Sequence, residues 1–378
     1  MPDLKQYLFI IAVLTLGIFV SILSDETATI PTSAVIIPNA SSTLTVINSE
    51  PAISTEEVSI PSVPEEIVSS EKTAPPKVAS VPEPEQIAPT QPIAESIPVS
   101  VTNEQLDDSS SALRNALVNI ICYVPAGSGL HSISASGIFI DPKGIILTNA
   151  HVAQYFLLSD RNVSCDIRSG SPATDSYDAE LIYISPTWIK SNTSVLTTTL
   201  PNGTGEYDFA LLAVSKSSTK NSLPISFPYA PLAMTPPIVG VPVAIASFGA
   251  QFLEASQIRF SLFPIIVFGS VKDVFTFGTN TIDVIELGGS VAAQEGSSGG
   301  GIADASGYLV GTITTSTISG STDTRILRAI TSSYIRAEYA NETGQPLDLL
   351  LAQPTSISIS NFEPQIFELE SILTANLP

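Results

Sequence analysis

One glycine-rich segment and two distant polar residues stand in contexts that favour nucleophilic catalysis. Residues 294–302 read "QEGSSGGGI", and Ser298 within them is the central residue of a G-x-S-G-G pattern. A serine hydroxyl is a weak nucleophile at neutral pH and needs a base within hydrogen-bond reach. His151 follows the apolar run "GIILTNA", and Asp208 precedes the run "FALLAV". The order His151, Asp208, Ser298 predicts a triad in which the imidazole accepts the serine proton and the carboxylate orients the imidazole.

Other assignments of the same residues fit less well. The segment also matches G-x-S-x-G, but in that arrangement the histidine follows the serine, and no histidine follows His151. A triad in which the acid precedes the histidine in the chain could use Asp141. That order occurs in a fold that alternates strands with helices. The remaining candidates are Ser297 as a competing nucleophile, Asp160 and Asp178 as fallback acids, and His131, which reads as a loop residue.

The elements that must position these residues read mainly as strands. Short runs rich in β-branched residues recur along residues 115–335, separated by turn-forming residues, which is typical of all-β barrels and sandwiches. Residues 151–159 predict one short helical turn. Apolar residues at helical spacing predict a helix over 324–344 that stops at Gly344. The strand–helix alternation typical of a parallel sheet is absent from the pattern.

Three blocks of sequence together resemble a known family. "SASGIFIDPKGIILTNAHV", "YDFALLAV" and "EGSSGGGI" with the later "GYLVGTITTS" are similar to the signature blocks of trypsin-like serine proteases, most of all to bacterial HtrA-type proteases. The resemblance implies an all-β, chymotrypsin-like domain over residues 112–340, with two six-stranded antiparallel β-barrels and a C-terminal helix. It also implies that the backbone N–H groups of Gly296 and Ser298 form an oxyanion hole.

The resemblance extends to the substrate pocket. It places Ala292, six residues before Ser298, at the pocket base, and Thr314, Thr315 and Ser316 along its wall. With no acid at the base, we expect small or medium uncharged side chains there rather than Lys or Arg. Two positions depart from the family pattern, because Ser297 replaces the usual Asp or Asn and Gly301 a common Pro. No PDZ-sized segment follows residue 340. In the C-terminal extension, 341–378, the residues Ile366, Leu369, Ile372 and Leu373 could form one face of a helix that packs on the barrels or contacts a partner.

The N-terminal third has a different composition. Residues 4–23 are apolar apart from Lys5 and Gln6, which is about the length of a transmembrane helix. We expect residues 1–24 to be an uncleaved anchor rather than a signal peptide, with the N-terminus inside and the protease domain extracytoplasmic. Residues 25–111 carry no aromatic residue, many prolines and mostly acidic charges. This composition predicts a disordered, extended linker.

Charge and cysteine content limit the possible partners and cofactors. The formal net charge of −21 argues against nucleic acid as a partner. Cys122 and Cys165 are the only cysteines, and with two histidines they offer a poor zinc site. A disulfide between them is compatible with export, but sequence alone leaves the pairing open. We expect neither metal nor organic cofactor, and the oligomeric state stays open.

These observations lead to one main hypothesis of function. The chain is expected to be a membrane-tethered, extracytoplasmic serine endopeptidase that acts on polypeptides. The alternatives are a catalytically silent, protease-like domain that binds peptides at the cell surface, and a structural or adhesion protein in which the glycine-rich segment is only a tight turn.

Overall fold

A computed structural model describes residues 101–198, 203–278, 281–316, 320–375 and 377, without the side-chain surroundings of residues 315 and 316. The α-helices are α1 (Asn103–Ala116), α2 (Ala150–Ala153), α3 (Pro186–Ser191), α4 (Ala255–Phe260), α5 (Ser332–Thr343), α6 (Leu347–Ala352) and α7 (Thr355–Thr374), with 3₁₀ helices at Gln154–Arg161 and Val195–Thr197. The predicted anchor, residues 1–24, and most of the predicted linker lie outside the described residues.

Thirteen strands account for most of the described core. They are β1 (Leu117–Tyr123), β2 (Ile133–Asp141), β3 (Ile145–Thr148), β4 (Ser164–Ser169), β5 (Thr174–Ile184), β6 (Ala210–Ser217), β7 (Pro242–Ser247), β8 (Ile265–Ser270), β9 (Asp273–Phe275), β10 (Val284–Gly288), β11 (Gly301–Asp304), β12 (Leu309–Ser316) and β13 (Leu327–Thr331). The prediction of a mainly β domain is confirmed.

The first six strands close into a barrel in the order β1-β2-β3-β6-β5-β4, with antiparallel neighbours. Its interior is filled by aliphatic side chains such as Ile120, Ile146 and Leu212, all without solvent exposure. Cys122 on β1 lies directly opposite Cys165 on β4, and the two form a disulfide that joins these strands. The first predicted six-stranded barrel is therefore present.

The second half of the domain differs from the predicted six-stranded barrel. It is a seven-stranded antiparallel sheet in the order β8-β7-β11-β12-β13-β10-β9. Strands β8 and β9 follow each other in the chain with only Val271 and Lys272 between them, yet they form opposite edges of the sheet. The sheet must therefore roll so that its two edges come close together.

Two helical boundaries differ from the sequence expectations. Residues 103–111, predicted as the end of the linker, belong to α1, which begins with a capping box between Thr102 and Gln105. Helix α1 is held by tertiary contacts, because Leu113 is fully buried and the Ser109 hydroxyl donates to the Asp304 carbonyl. Residues 327–331 of the predicted helix form β13 instead, and only 332–343 are helical, with the predicted stop at Gly344 confirmed.

The C-terminal extension packs on the first barrel. Helix α7 contacts β5, β6 and α3. Of the four residues predicted to share a face, it buries Leu369 and Leu373, whereas Ile366 and Ile372 are half-buried. The segment at 151–159 is helical too, through α2 and the 3₁₀ helix that follows. Within the part of the chain that the structure describes, none of the helices combines the length and apolar character needed to span a bilayer.

Candidate active site

His151 lies at the point where the first barrel ends and a short helix begins. Strand β3 ends at Thr148, and Asn149 precedes the single-turn helix α2, which carries His151. The Asn149 side chain donates to the Asp208 carbonyl at 2.9 Å, and the His151 backbone N–H donates to the Asp208 carboxylate at 2.9 Å. These two bonds tie the histidine turn to the segment before β6, so His151 and Asp208 are positioned together.

The side chains of His151 and Asp208 form a direct hydrogen bond. The distance from His151 Nδ1 to Asp208 Oδ2 is 2.8 Å, and the same carboxylate oxygen accepts from Thr314 Oγ1 at 2.7 Å. Asp208 is buried, whereas the His151 side chain remains 27% exposed. The carboxylate is thus fully engaged by donors, and the exposed part of the ring is left to face a substrate.

The backbone before Asp208 adopts an unusual conformation. Tyr207 has a φ of +57°, which is rare for a residue with a side chain. Its N–H donates to the Tyr334 hydroxyl at 3.0 Å, and its carbonyl accepts from the Phe209 N–H at 2.8 Å. These bonds hold a sharp bend that turns the Asp208 carboxylate toward α2.

The electrostatics of the pair follow from burial and mutual attraction. Burial acts to lower the pKa of His151, but the charge of Asp208 and its hydrogen bond outweigh that effect and raise the pKa above 6.5. Burial likewise acts to raise the pKa of Asp208, and the His151 charge with three hydrogen bonds lowers it below its usual value. Asp208 is therefore ionised at neutral pH and stabilises an imidazolium.

The segment that carries Ser298 packs against the strands that lead to His151. Ser136 on β2 donates from its N–H to the Ser298 carbonyl and from its hydroxyl to the Gly296 carbonyl, both at 2.8 Å. Gly299, with φ of +83°, lies so close that an added Cβ would overlap the Ser136 carbonyl oxygen and the Thr148 hydroxyl. The glycine lets the backbone between the two halves approach the strand end that precedes His151.

The two serines of the segment differ in environment. Ser297 is 1% exposed and accepts a hydrogen bond from Ser247, whereas Ser298 is partly exposed. Neither the Gly296 nor the Ser298 N–H donates to an acceptor among the described residues. Ser298 is thus the accessible hydroxyl, and two backbone donors beside it are free to bind an oxyanion.

The residues predicted to form the substrate pocket lie around β12 and the loop before Ser298. Ala292 is fully buried and packs in the core of the second sheet. Thr314 is buried too, and its hydroxyl is bound to Asp208. Thr315 and Ser316 lie on β12 in register with Arg328 and Leu327 of β13. Of the four, Thr314 acquires a role in orienting the acid.

The other candidates from the sequence lie away from this constellation. Asp178 pairs with Lys216 at 2.8 Å, Asp141 pairs with Lys143 at 2.7 Å, and Asp160 and His131 are exposed. Within the described part of the chain, no group of His, Cys, Asp and Glu side chains could hold a metal ion.

Several residues that contact Asp208, Tyr207 or the Ser298 segment could not be predicted from local sequence patterns. Thr314 and Ser136 lie on strands in which threonine and serine are common, and Tyr334 lies in a helix far along the chain. Their contacts with Asp208, the Ser298 segment and Tyr207 depend on long-range folding. Only Asn149, beside His151 in "TNAH", lay inside a recognisable block.

The closed barrel, the rolled second sheet and the C-terminal helices fit the chymotrypsin fold. Within this fold the structure pairs His151 with Asp208, and the glycine-rich segment that carries Ser298 packs against the strands that lead to His151. Residues 135–311 match the family model described as a trypsin-like peptidase domain.

Solved structures of a bacterial protease are similar at low sequence identity. The Rv3671c protease of M. tuberculosis in its active form is 19% identical with a TM-score of 0.40, covering 71% of this chain and 96% of that one. A serine-to-alanine mutant of Rv3671c in an inactive form is 16% identical with a TM-score of 0.39, covering 67% and 97%. No curated protein matches this chain in sequence.

Proposed function

We infer that this protein is a serine endopeptidase that hydrolyses polypeptides through His151, Asp208 and Ser298. The observation that carries the proposal is the His151–Asp208 pair, with Nδ1 bonded to the carboxylate at 2.8 Å and the rest of the ring partly exposed. The Ser298 segment packs against Ser136 and Thr148 at the base of the same turn. The match of residues 135–311 to the trypsin-like peptidase family model also supports the proposal.

The reaction uses the residues in fixed roles. The Ser298 Oγ attacks the carbonyl carbon of the substrate while His151 accepts the hydroxyl proton, and Asp208 stabilises the imidazolium. The N–H groups of Gly296 and Ser298 stabilise the negative charge that develops on the carbonyl oxygen. His151 then donates the proton to the leaving amine as the peptide bond breaks. Water, deprotonated by His151, releases the acyl group from Ser298 and restores the enzyme.

Hydrolysis of an unfolded protein substrate tests this proposal. We expect the full-length protein to cleave it and the Ser298→Ala variant to lose that activity by several orders of magnitude. Ser297→Ala is the matched control, because its hydroxyl is buried against Ser247, and it should keep most of the activity. A folded wild-type protein that binds the substrate without cleaving it would favour the catalytically silent alternative.

We also propose that the protease domain is extracytoplasmic and tethered to a membrane by residues 1–24. The support is the apolar run at 4–23 and the acidic, proline-rich composition of the residues that follow it. Deletion of residues 1–24 should move the protein from the membrane fraction to the soluble fraction. A full-length protein that is soluble without detergent and keeps its N-terminal sequence would contradict the tether.

A further inference from the structure

A buried arginine close to the Ser298 segment lacks a carboxylate partner. Arg325, just before β13, is 4% exposed, and no Asp or Glu among the described residues lies within 4.0 Å of its guanidinium. The internal ranges outside the description, 199–202, 279–280 and 317–319, contain no acidic residue. By contrast, Arg168 is similarly buried and pairs with Asp175 at 3.3 Å. A buried charge without a counter-ion is costly, so Arg325 is an exception that needs an explanation.

The hydrogen bonds of Arg325 leave one end of its guanidinium available. Nε donates to the Gly320 carbonyl at 3.1 Å, and Nη1 donates to Gln251 Oε1 at 2.6 Å and to the Ala293 carbonyl at 2.8 Å. These bonds use three of the five guanidinium donors. The two donors on Nη2 meet no acceptor among the described residues. Neutral oxygens therefore fix the orientation of the group. The face of the Phe252 ring lies 5.6 Å from the guanidinium carbon, but no carboxylate among the described residues balances the positive charge.

The three loops that hold Arg325 also border the catalytic segment. Ala293 lies five residues before Ser298 in the same loop. Gln251 lies in the loop after β7, whose Ala250 N–H donates to the Glu295 carbonyl at 2.8 Å. Gly320 lies between β12 and β13, and Ser316 at the end of β12 pairs with Leu327, two residues after Arg325.

Strand β12 leads from Asp208 toward Arg325. Thr314 binds Asp208, Ser316 lies two residues or about 7 Å further along the strand, and Arg325 lies two residues before the Leu327 that pairs with Ser316. Arg325 thus lies beyond the end of β12, the strand that the family resemblance assigns to the pocket wall. Its guanidinium bonds to Ala293, the neighbour of Ala292, which the resemblance assigns to the pocket base.

We propose that Arg325 binds a carboxylate side chain of the polypeptide substrate, so that the protease prefers Glu or Asp beside the cleaved bond. This inference rests on the proposed function and replaces the sequence-based expectation of uncharged side chains. The apolar surroundings of Ala292 and Ala293 strengthen the attraction, because charge pairs interact more strongly where water is excluded. A carboxylate on Nη2 would supply the missing counter-ion in a charge-assisted hydrogen bond.

A matched pair of substrates separates this role from a structural one. Two peptidyl phosphonates that differ only in Glu or Gln at the residue bearing phosphorus are nearly equal in shape and differ in charge. We expect the full-length protein to react with the Glu compound at least about tenfold faster, the size of one charge-assisted hydrogen bond. Arg325→Gln should bring the ratio of the two rates to about one. Arg328→Gln is the control, because Arg328 is paired with Glu286 on the sheet surface, and it should leave the ratio unchanged.

The results that would overturn the carboxylate site differ from the results that would overturn the proposed protease function. Equal or faster reaction of the Gln compound, or a ratio unchanged in Arg325→Gln, would overturn the inference while leaving the protease assignment intact. If Arg325→Gln does not fold, the wild-type ratio alone decides. If no phosphonate reacts at all, anisotropy measurements on the Ser298→Ala protein decide with a labelled Glu and Gln peptide pair. Tighter binding of the Glu peptide by about tenfold then supports the carboxylate site, and equal binding refutes it.

Discussion

At the scale of single residues, His151 is held by Asp208 through both its backbone and its ring. The N–H of His151 and its Nδ1 each bond to a different carboxylate oxygen, at 2.9 and 2.8 Å. With Nδ1 bonded to Asp208, Nε2 is the ring nitrogen left to accept a proton, which in the proposed mechanism comes from Ser298. Thr314 adds a third donor to the carboxylate. The pair is therefore preorganised before any substrate binds.

The raised pKa of His151 predicts the pH dependence of hydrolysis. Because the imidazole must be neutral to act as a base, kcat/KM should fall as the pH drops, with a midpoint above 6.5. Asp208→Asn removes the charge that raises this pKa but leaves the burial that lowers it. We expect that variant to show a midpoint at lower pH and a rate reduced by roughly 10⁴-fold. Equal midpoints in the two proteins would contradict the role of Asp208.

At the scale of elements, the close packing of the Ser298 segment on β2 and β3 depends on Gly299. An alanine there would overlap Ser136 and Thr148, and its φ of +83° is also unfavourable for a side chain. We expect Gly299→Ala to lose hydrolysis by more than about 100-fold, because displacement of a catalytic group by about 1 Å is enough for such a loss. Rates on a peptide substrate and the melting temperature should both be measured.

Gly307→Ala is the matched control for that variant. Gly307 has nearly the same φ, +81°, but a Cβ there meets nothing within 4 Å. It should carry only the cost of the left-handed backbone, about 1 kcal/mol, with activity retained. If both variants lose activity equally, the backbone conformation rather than the close approach explains the glycine at 299.

Sequence patterns were sufficient to predict most of the strands, but not β13 or helix α1. Runs of β-branched residues predicted strands because side-chain packing in a sheet favours these residues locally. Ile326, Leu327 and Ile330 fit helical spacing, yet Leu327 and Ile330 lie in β13, since pairing with β10 and β12 overrides the local pattern. Helix α1 was missed because its surface is acidic and polar, and its stability comes from Leu113 and Ser109 contacting other elements.

In the candidate site, too, some residues could be predicted from local sequence and others could not. His151, Asp208 and Ser298 could be named from three short blocks, because each lies inside a local pattern of turn and strand residues. The contacts of Thr314 and Tyr334 could not, since they join residues more than 100 positions apart. That Arg325 has no carboxylate partner among the described residues could not be read from sequence either, because it depends on which side chains are absent from its surroundings.

At the scale of the whole molecule, the C-terminal extension packs as part of the folded domain. Helix α7 buries Leu373 completely and Leu369 almost completely against the first barrel. Leu373→Ala should therefore lower the free energy of unfolding by about 2–5 kcal/mol. Phe367→Ala, on the same helix but 79% exposed, should change it by less than about 0.5 kcal/mol. Chemical denaturation measures both, and similar losses would contradict the docking of this helix.

The measurement that most directly tests the proposed triad is the site of covalent modification by a fluorophosphonate. The probe reacts only with a serine whose hydroxyl is activated by a neighbouring base. Mass spectrometry of the full-length protein should locate the adduct on Ser298, and His151→Ala should abolish it while leaving the fold intact. An adduct on Ser297 or another serine, or undiminished labelling of Ser298 in His151→Ala, would contradict a shared site for these residues.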